Sequence, residues 1–159
     1  MQDLTAALIV ATFSFGGAIF YTLSCIERSV LRLGLNHQDQ RVKEEDARFV
    51  HAALKRLIPL LPPSNGFVIL FGTVAMVYQA GLRNWDWQSV VVMAFYWLFM
   101  GYLITLGNIA GAVRDVRETS SDADIDAVRC GVGRLVVRHH LGLVATLGTA
   151  VLELAFVIA

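Results

Sequence analysis

Residues 21–32 read YTLSCIERSVLR, and the fold turns on what this stretch is. From Leu4 to Ile26 the chain carries no charge; then Glu27 and Arg28 arrive side by side, with Arg32 one helical turn later. Such a boundary is either the cleavage region of a signal peptide or the end of a membrane span. The opening MQDLT has no Lys or Arg, and no A-x-A site follows the apolar run, so a signal peptide does not fit. TLSC matches a lipoprotein cleavage box only loosely, with Leu where a small residue is needed. Residues 4–26 therefore read as a retained span.

Three more apolar stretches approach the roughly 20 residues that a helix needs to cross a bilayer. They run over about 66–80, 89–113 and 141–159. The composition agrees: 56% of the 159 residues are hydrophobic and 16% charged, against about 25% charged in soluble domains. Mean hydropathy is +0.59. Backbone exposed to lipid must satisfy its own hydrogen bonds, so the sequence predicts an all-α membrane protein. The expected architecture is one domain over 1–159, an antiparallel bundle of four transmembrane helices. Thirteen basic and thirteen acidic residues balance, without a basic cluster, and nucleic acid is excluded as a partner. Cys25 and Cys130 lie in separate segments and read as free thiols.

The basic residues set an orientation. Arg28, Arg32, Arg41, Lys43, Arg48, Lys55 and Arg56 lie between spans one and two, and Arg114, Arg117, Arg129, Arg134 and Arg138 between three and four. Arg83 alone lies between two and three. The positive-inside bias then puts the first and third connections in the cytoplasm and both termini outside a cell's inner (plasma) membrane. Trp85 and Trp87 fall at the outer interface.

Within the first connection, Val50, Leu54, Leu57, Ile58 and Leu61 share one helical face. This predicts a cytoplasmic amphipathic helix, lying on the inner leaflet or packed under the bundle. His51 falls on its polar, solvated side, and Pro62-Pro63 end it. In the third connection Asp122, Asp124 and Asp126 imitate a calcium loop, but Ala127 and Gly133 replace its required Gly and Glu. Ser121 instead reads as a helix cap. Small residues at four-residue spacing (Gly107 and Gly111; Gly142, Thr146 and Ala150) and the pair Gly16-Gly17 suit close helix packing.

Polar groups gather at one depth, the inner mouth of the expected bundle. Glu27 and Arg28 end span one, Asn108 lies in span three, and Arg134, Arg138, His139 and His140 lead into span four. Polar groups there either line a functional cavity or anchor the protein, with arginines snorkelling to phosphates. Glu27 is expected to pair with Arg28, Arg134 or Arg138. Neighbouring helix residues point about 100° apart, so at most one of His139 and His140 faces inward. No second span supplies a histidine for haem, and the carboxylates for a di-metal site are missing. Glu153, the lone acid deep in span four, reads as a neutral, hydrogen-bonded group, with proton carriage as the alternative.

Three segments carry a resemblance: GGAIFYTLSCIERSVLR (16–32), GNIAGAVRD (107–115) and GRLVVRHHLGL (133–143). In this order the chain resembles the anthrone-oxygenase-like family of small four-helix membrane proteins. It departs from that pattern at Ala110, where the family has Pro, at Leu135, where it has Trp, and near Gly142, where it has a later Arg. The resemblance implies oxygenation of an electron-rich polycyclic phenol by dioxygen, without metal, flavin or other cofactor. It makes His139 the base, Arg134 or Arg28 the cationic stabiliser, and Asn108 the group that orients the substrate oxygen. Candidate catalytic residues are thus His139, Arg134, Asn108 and Glu27, and candidate substrate-binding residues Arg28, Tyr21 and Tyr102. The expected partners are the lipid bilayer and a lipophilic small molecule. Partner membrane subunits or a second copy belong to the rival reading, a non-catalytic accessory subunit. A quinone- or lipid-binding module is the third.

Overall fold

A computed structural model describes residues 2–120 and 122–158, except for the side chains of Gln2, Asp3 and Pro62; the expected cap Ser121 lies outside the described residues. The chain runs through α1 (Gln2–Ile26), a 3₁₀ segment (Glu27–Gly34), α2 (Glu44–Leu57), α3 (Leu61–Leu82), α4 (Trp87–Ile104), α5 (Ile109–Glu118) and α6 (Ile125–Ile158). Among the described residues four helices are long and apolar enough to cross a membrane: α1 with its 3₁₀ continuation, α3, α4 and α6. Among the described residues there is no strand.

α1 and α6 form the spine. A Cβ on Gly16 would lie 2.9 Å from a Val68 methyl and 3.1 Å from that of Thr146. One on Gly142 would lie 2.5 Å from the Phe20 ring. Small residues here let neighbouring helices approach, as their spacing suggested. Gly107 and Gly111 do something else. Span three breaks between Ile104 and Ile109, where Asn108 takes the left-handed backbone region at φ 45° and its side chain accepts from Gly111 N at 3.1 Å. Asn is among the few residues that visit this region readily and also cap helices well. Gly107 N donates to Tyr102 O at 2.6 Å and closes the turn. The glycines of GNIAG thus serve a break rather than a packing notch, and α5 departs as a separate amphipathic helix.

α6 begins at Ile125, well ahead of Leu141, so Arg129, Arg134 and Arg138 stand on a helix. Its extension is a post for the 3₁₀ segment, α2 and α5. Ala47, Val50, His51 and Leu54 of α2 are buried against these neighbours, while Phe49 stays 71% exposed. Three α2 side chains donate to carbonyls at and beyond the end of α5: His51 Nε2 to Val116 O at 3.1 Å, Lys55 to Thr119 O at 2.9 Å, and Arg48 to Ala123 O at 3.1 Å. A helix end leaves such carbonyls unpaired. His51 is therefore buried, not solvated as its polar neighbours suggested; 47, 51, 54 and 58 form a helical stripe of their own. Pro62 and Pro63 sit in the first turn of α3, where a missing N–H costs nothing.

The closest approach of a glycine to another segment's backbone is Gly133 to the 3₁₀ segment, where an added Cβ would strike the Leu33 carbonyl. Backbone cannot swing aside as a side chain can. Gly133→Ala should lower stability by about 1–3 kcal/mol, as overpacking does. Gly66, with open space around it, should gain roughly 0.5–1 kcal/mol on substitution by Ala. Thermal unfolding of both variants in detergent checks the contrast. His51 supplies a second test. Burial holds its pKa below the usual 6.5, with Lys55 and Arg48 pushing the same way against the Val116 bond. The unfolded chain therefore binds the proton first, so stability is fully present above pH 6.5 and is lost as pH falls through the lower folded value. His51→Gln should lose less melting temperature than wild type between about pH 8 and about pH 5.5, the window in which histidine titrates.

Candidate functional site

The 3₁₀ geometry answers why an acid and an arginine adjoin at the end of span one. With three residues per turn, Glu27, Val30 and Leu33 share one face and are buried, while Arg28, Ser29, Leu31 and Arg32 face outward. Glu27 is fully buried, and His139 Nδ1 donates to its Oε1 at 2.5 Å. The expected arginine partner is thus replaced by a histidine. A charge-assisted hydrogen bond of this length is among the stronger kinds. His140, one residue on, donates back to Val136 O of its own helix at 2.8 Å. His139 is the inward one.

The carboxylate fixes which ring nitrogen carries the proton, leaving His139 Nε2 as a lone-pair acceptor. That nitrogen makes no hydrogen bond among the described residues. His139 lines a cavity of about 340 Å³, at the low end of the ~300–1,000 Å³ typical of small-molecule sites. Its wall is almost wholly apolar: Phe20 from α1, Val68 and Ile69 from α3, Met100 and Leu103 from α4, Val113 from α5. Asn65, Tyr96 and Thr146 are the other polar residues in the wall. Ile104, 49% exposed, and the exposed Ala110 line the cavity too, which places its mouth at the α4–α5 break. The mouth is as apolar as the interior.

The remaining predicted site residues do not converge on this cavity. Arg28 is exposed, and Tyr21, 61% exposed, faces away from the cavity that Phe20 lines. Arg134 pairs with Asp115 at 3.1 Å, half in the open. Asn108 is committed to capping α5, and Tyr102 is 48% exposed. Arg138 lies across the break, its Nε donating to Gly107 O and its Nη1 to Arg134 O, both at 2.5 Å. The structure thus brings Glu27 and His139 together and leaves Arg28, Arg134, Asn108, Tyr21 and Tyr102 outside. Sequence reading missed Tyr96, whose ring packs on Phe13 at 4.6 Å. It sits in the aromatic run AFYWLF, where nothing in the pattern marks one ring from the next.

A second buried acid lies toward the other end of the spans. Gln79 of α3 donates to Glu153 Oε1 at 2.5 Å, and Arg83 Nη2 stands 3.9 Å from the same oxygen. Glu153 is hydrogen-bonded, and the lone basic residue of the second connection is its neighbour. Among the described residues no group of three or more His, Cys, Asp or Glu could hold a metal, and Cys25 and Cys130 are free. No family model matches the chain, and neither a curated protein nor a solved structure does.

Removing one partner of a buried pair leaves the other uncompensated, at about 3–5 kcal/mol. Glu27→Leu and His139→Phe should each cost about that much, and the double variant clearly less than their sum. Glu45→Gln, on the exposed face of α2, should stay within about 0.5 kcal/mol of wild type. Additive losses in chemical unfolding would mean that the two side chains do not act as a pair.

Proposed function

We propose that the protein is a multi-pass membrane protein that binds a lipophilic phenol in the cavity beside His139, with Nε2 as the base for the phenolic proton and Glu27 as its positioning residue. The observation that carries this is a buried carboxylate–imidazole pair in the wall of an apolar cavity. That arrangement holds a base in one tautomer and keeps water from competing for it. The apolar mouth at Ile104 and Ala110 suits a ligand that arrives dissolved in lipid.

The orientation belongs to the same reading. We take the spans as an antiparallel bundle in a cell's inner membrane, with both termini outside and the α2 and α5 connections in the cytoplasm. The charge bias supports it, since every Lys and Arg except Arg83 lies in or beside those connections. The contact order of α1 and α6 supports antiparallel packing: Gly16 meets Thr146, Phe20 meets Gly142, Glu27 meets His139, and Leu33 meets Gly133.

The reaction proposed for this site is oxygenation without a cofactor. A phenolate is electron-rich enough to react with dioxygen directly. One oxygen atom enters the ring as a carbonyl and the other leaves as water, so phenol plus dioxygen gives quinone plus water. His139 takes the phenolic proton. A second reading, a quinone- or phenol-binding module without turnover, is favoured by one observation: among the described residues no arginine lines the cavity to steady an oxyanion.

Protein in lipid nanodiscs, given a fused-ring phenol, should consume dioxygen and release the quinone, and His139→Phe should slow this by about 10²–10⁴-fold, the usual share of a general base. Binding without oxygen uptake would give the second reading. A wild type that neither binds nor reacts would remove both.

A further inference from the structure

α5 sorts its charges. Asp115 and Glu118 line a cleft that they share with Arg134, and Asp115 pairs with Arg134 at 3.1 Å. Arg114 and Arg117, three residues apart and so neighbours on the helix surface, line a different cleft of about 360 Å³ with Asn108, Ala110, Gly111 and Val113. Among the described residues no carboxylate lines this cleft. Both arginines are exposed, and neither makes a side-chain hydrogen bond or ion pair among the described residues. Asn108 commits its oxygen to Gly111 N, which leaves its amide nitrogen as one more donor. Like charges side by side repel, so an anion between them is favoured.

The surroundings of the cleft narrow the kind of anion. Ala110 and Val113 also line the apolar cavity, so the arginines begin about one turn beyond its mouth. The apolar span of α4 ends at Ile104, on the other side of the same mouth. The cleft therefore lies where an apolar span gives way to a polar surface, the depth of lipid headgroups. Water finds no partners on an apolar wall, and a void forfeits contacts along its lining, so the favoured filling of the cavity is an acyl chain. A free phosphate would satisfy the arginines and leave the cavity unfilled. A phospholipid satisfies both, since guanidinium forks match phosphate oxygens.

We propose that the break between α4 and α5 is a binding site for an anionic phospholipid. The phosphate lies between Arg114 and Arg117, beside the Asn108 amide, and one acyl chain enters the cavity past Ile104 and Ala110. The arginines select the lipid by its charge, and the cavity holds its chain. This goes beyond the reading of His139 and stands whether or not a phenol reacts there; a phenol entering by the same mouth displaces the chain.

Native mass spectrometry of the full chain, released from mixed micelles, reads which lipid stays bound. The probes are phosphatidylglycerol and phosphatidylcholine with matched chains, and inorganic phosphate as a competitor. One basic residue near an anionic surface contributes about fivefold, so wild type should retain phosphatidylglycerol about 25-fold better than phosphatidylcholine. Arg114→Gln with Arg117→Gln should erase that preference and leave phosphatidylcholine unchanged. Arg32→Gln with Arg41→Gln, exposed arginines of the other basic connection, should lower it by less than about twofold, because distant surface charges are screened. Ala110→Trp, which fills the mouth at an exposed position, should release most of the bound phosphatidylglycerol, and inorganic phosphate at equal concentration should displace none. Equal retention of the two lipids by wild type, or a preference that survives the Arg114 and Arg117 substitutions, would overturn the proposal. An equal loss in the Arg32 and Arg41 variant would reduce the effect to diffuse charge and overturn it too. Displacement by phosphate, or full retention by Ala110→Trp, would leave a surface anion site without a chain and overturn the lipid. None of these outcomes bears on His139, which every variant keeps.

Discussion

A carboxylate cannot be buried alone, and Glu27 is fully buried. This constraint ties together parts of the chain far apart in sequence. The pair with His139 requires α1 to pass close to α6, which Gly16, Gly17 and Gly142 permit. It requires the backbone to turn Glu27 inward and Arg28 outward, which three residues per turn achieve. It requires the 3₁₀ segment to lie against α6 at Gly133, where no side chain fits. Each feature could be read as local, yet together they serve one hydrogen bond of 2.5 Å.

The cavity has a different origin. A continuous span three would carry its side chains straight past His139. Because Asn108 stops α4 and restarts the chain as α5, the two helices diverge, and Ile104 and Ala110 flank an opening rather than a closed seam. Arg138 stabilises the break from α6 by bonding the Gly107 carbonyl, which the interruption leaves free. Asn108 and Arg138 are thus polar groups near the site that support its shape without facing into it. Their depth suggested a role in chemistry; their bonds point to architecture.

The four apolar stretches were legible because twenty apolar residues allow few readings, and α2 was legible from its 3.6-residue stripe. Glu27 and His139 were legible as candidates, since a charge at the end of a span invites a question, but not as partners. Charge alone favours an arginine, and the sequence offered three; only the 3₁₀ turn excludes Arg28, and only Asp115 and Gly107 occupy the other two. His51 was misread because its neighbours are charged, whereas its burial depends on the end of α5, a helix whose first residues, 109–113, sequence analysis placed inside a membrane span. Tyr96 carried no signal at all.

The two buried acids divide the molecule. Glu153 has Gln79 of α3 and Arg83 just past the end of α3, one neutral donor and one cation, and together they tie the far ends of two spans. That is the arrangement of a structural clasp: the donors converge on one oxygen, and no cavity residue is among them. Glu27 has one partner, and that partner faces a cavity; the second oxygen of each acid is left without a bond. What separates the two acids is where their partners face: His139 lines the cavity, neither Gln79 nor Arg83 does, and the proposed chemistry at Glu27 and His139 rests on that difference.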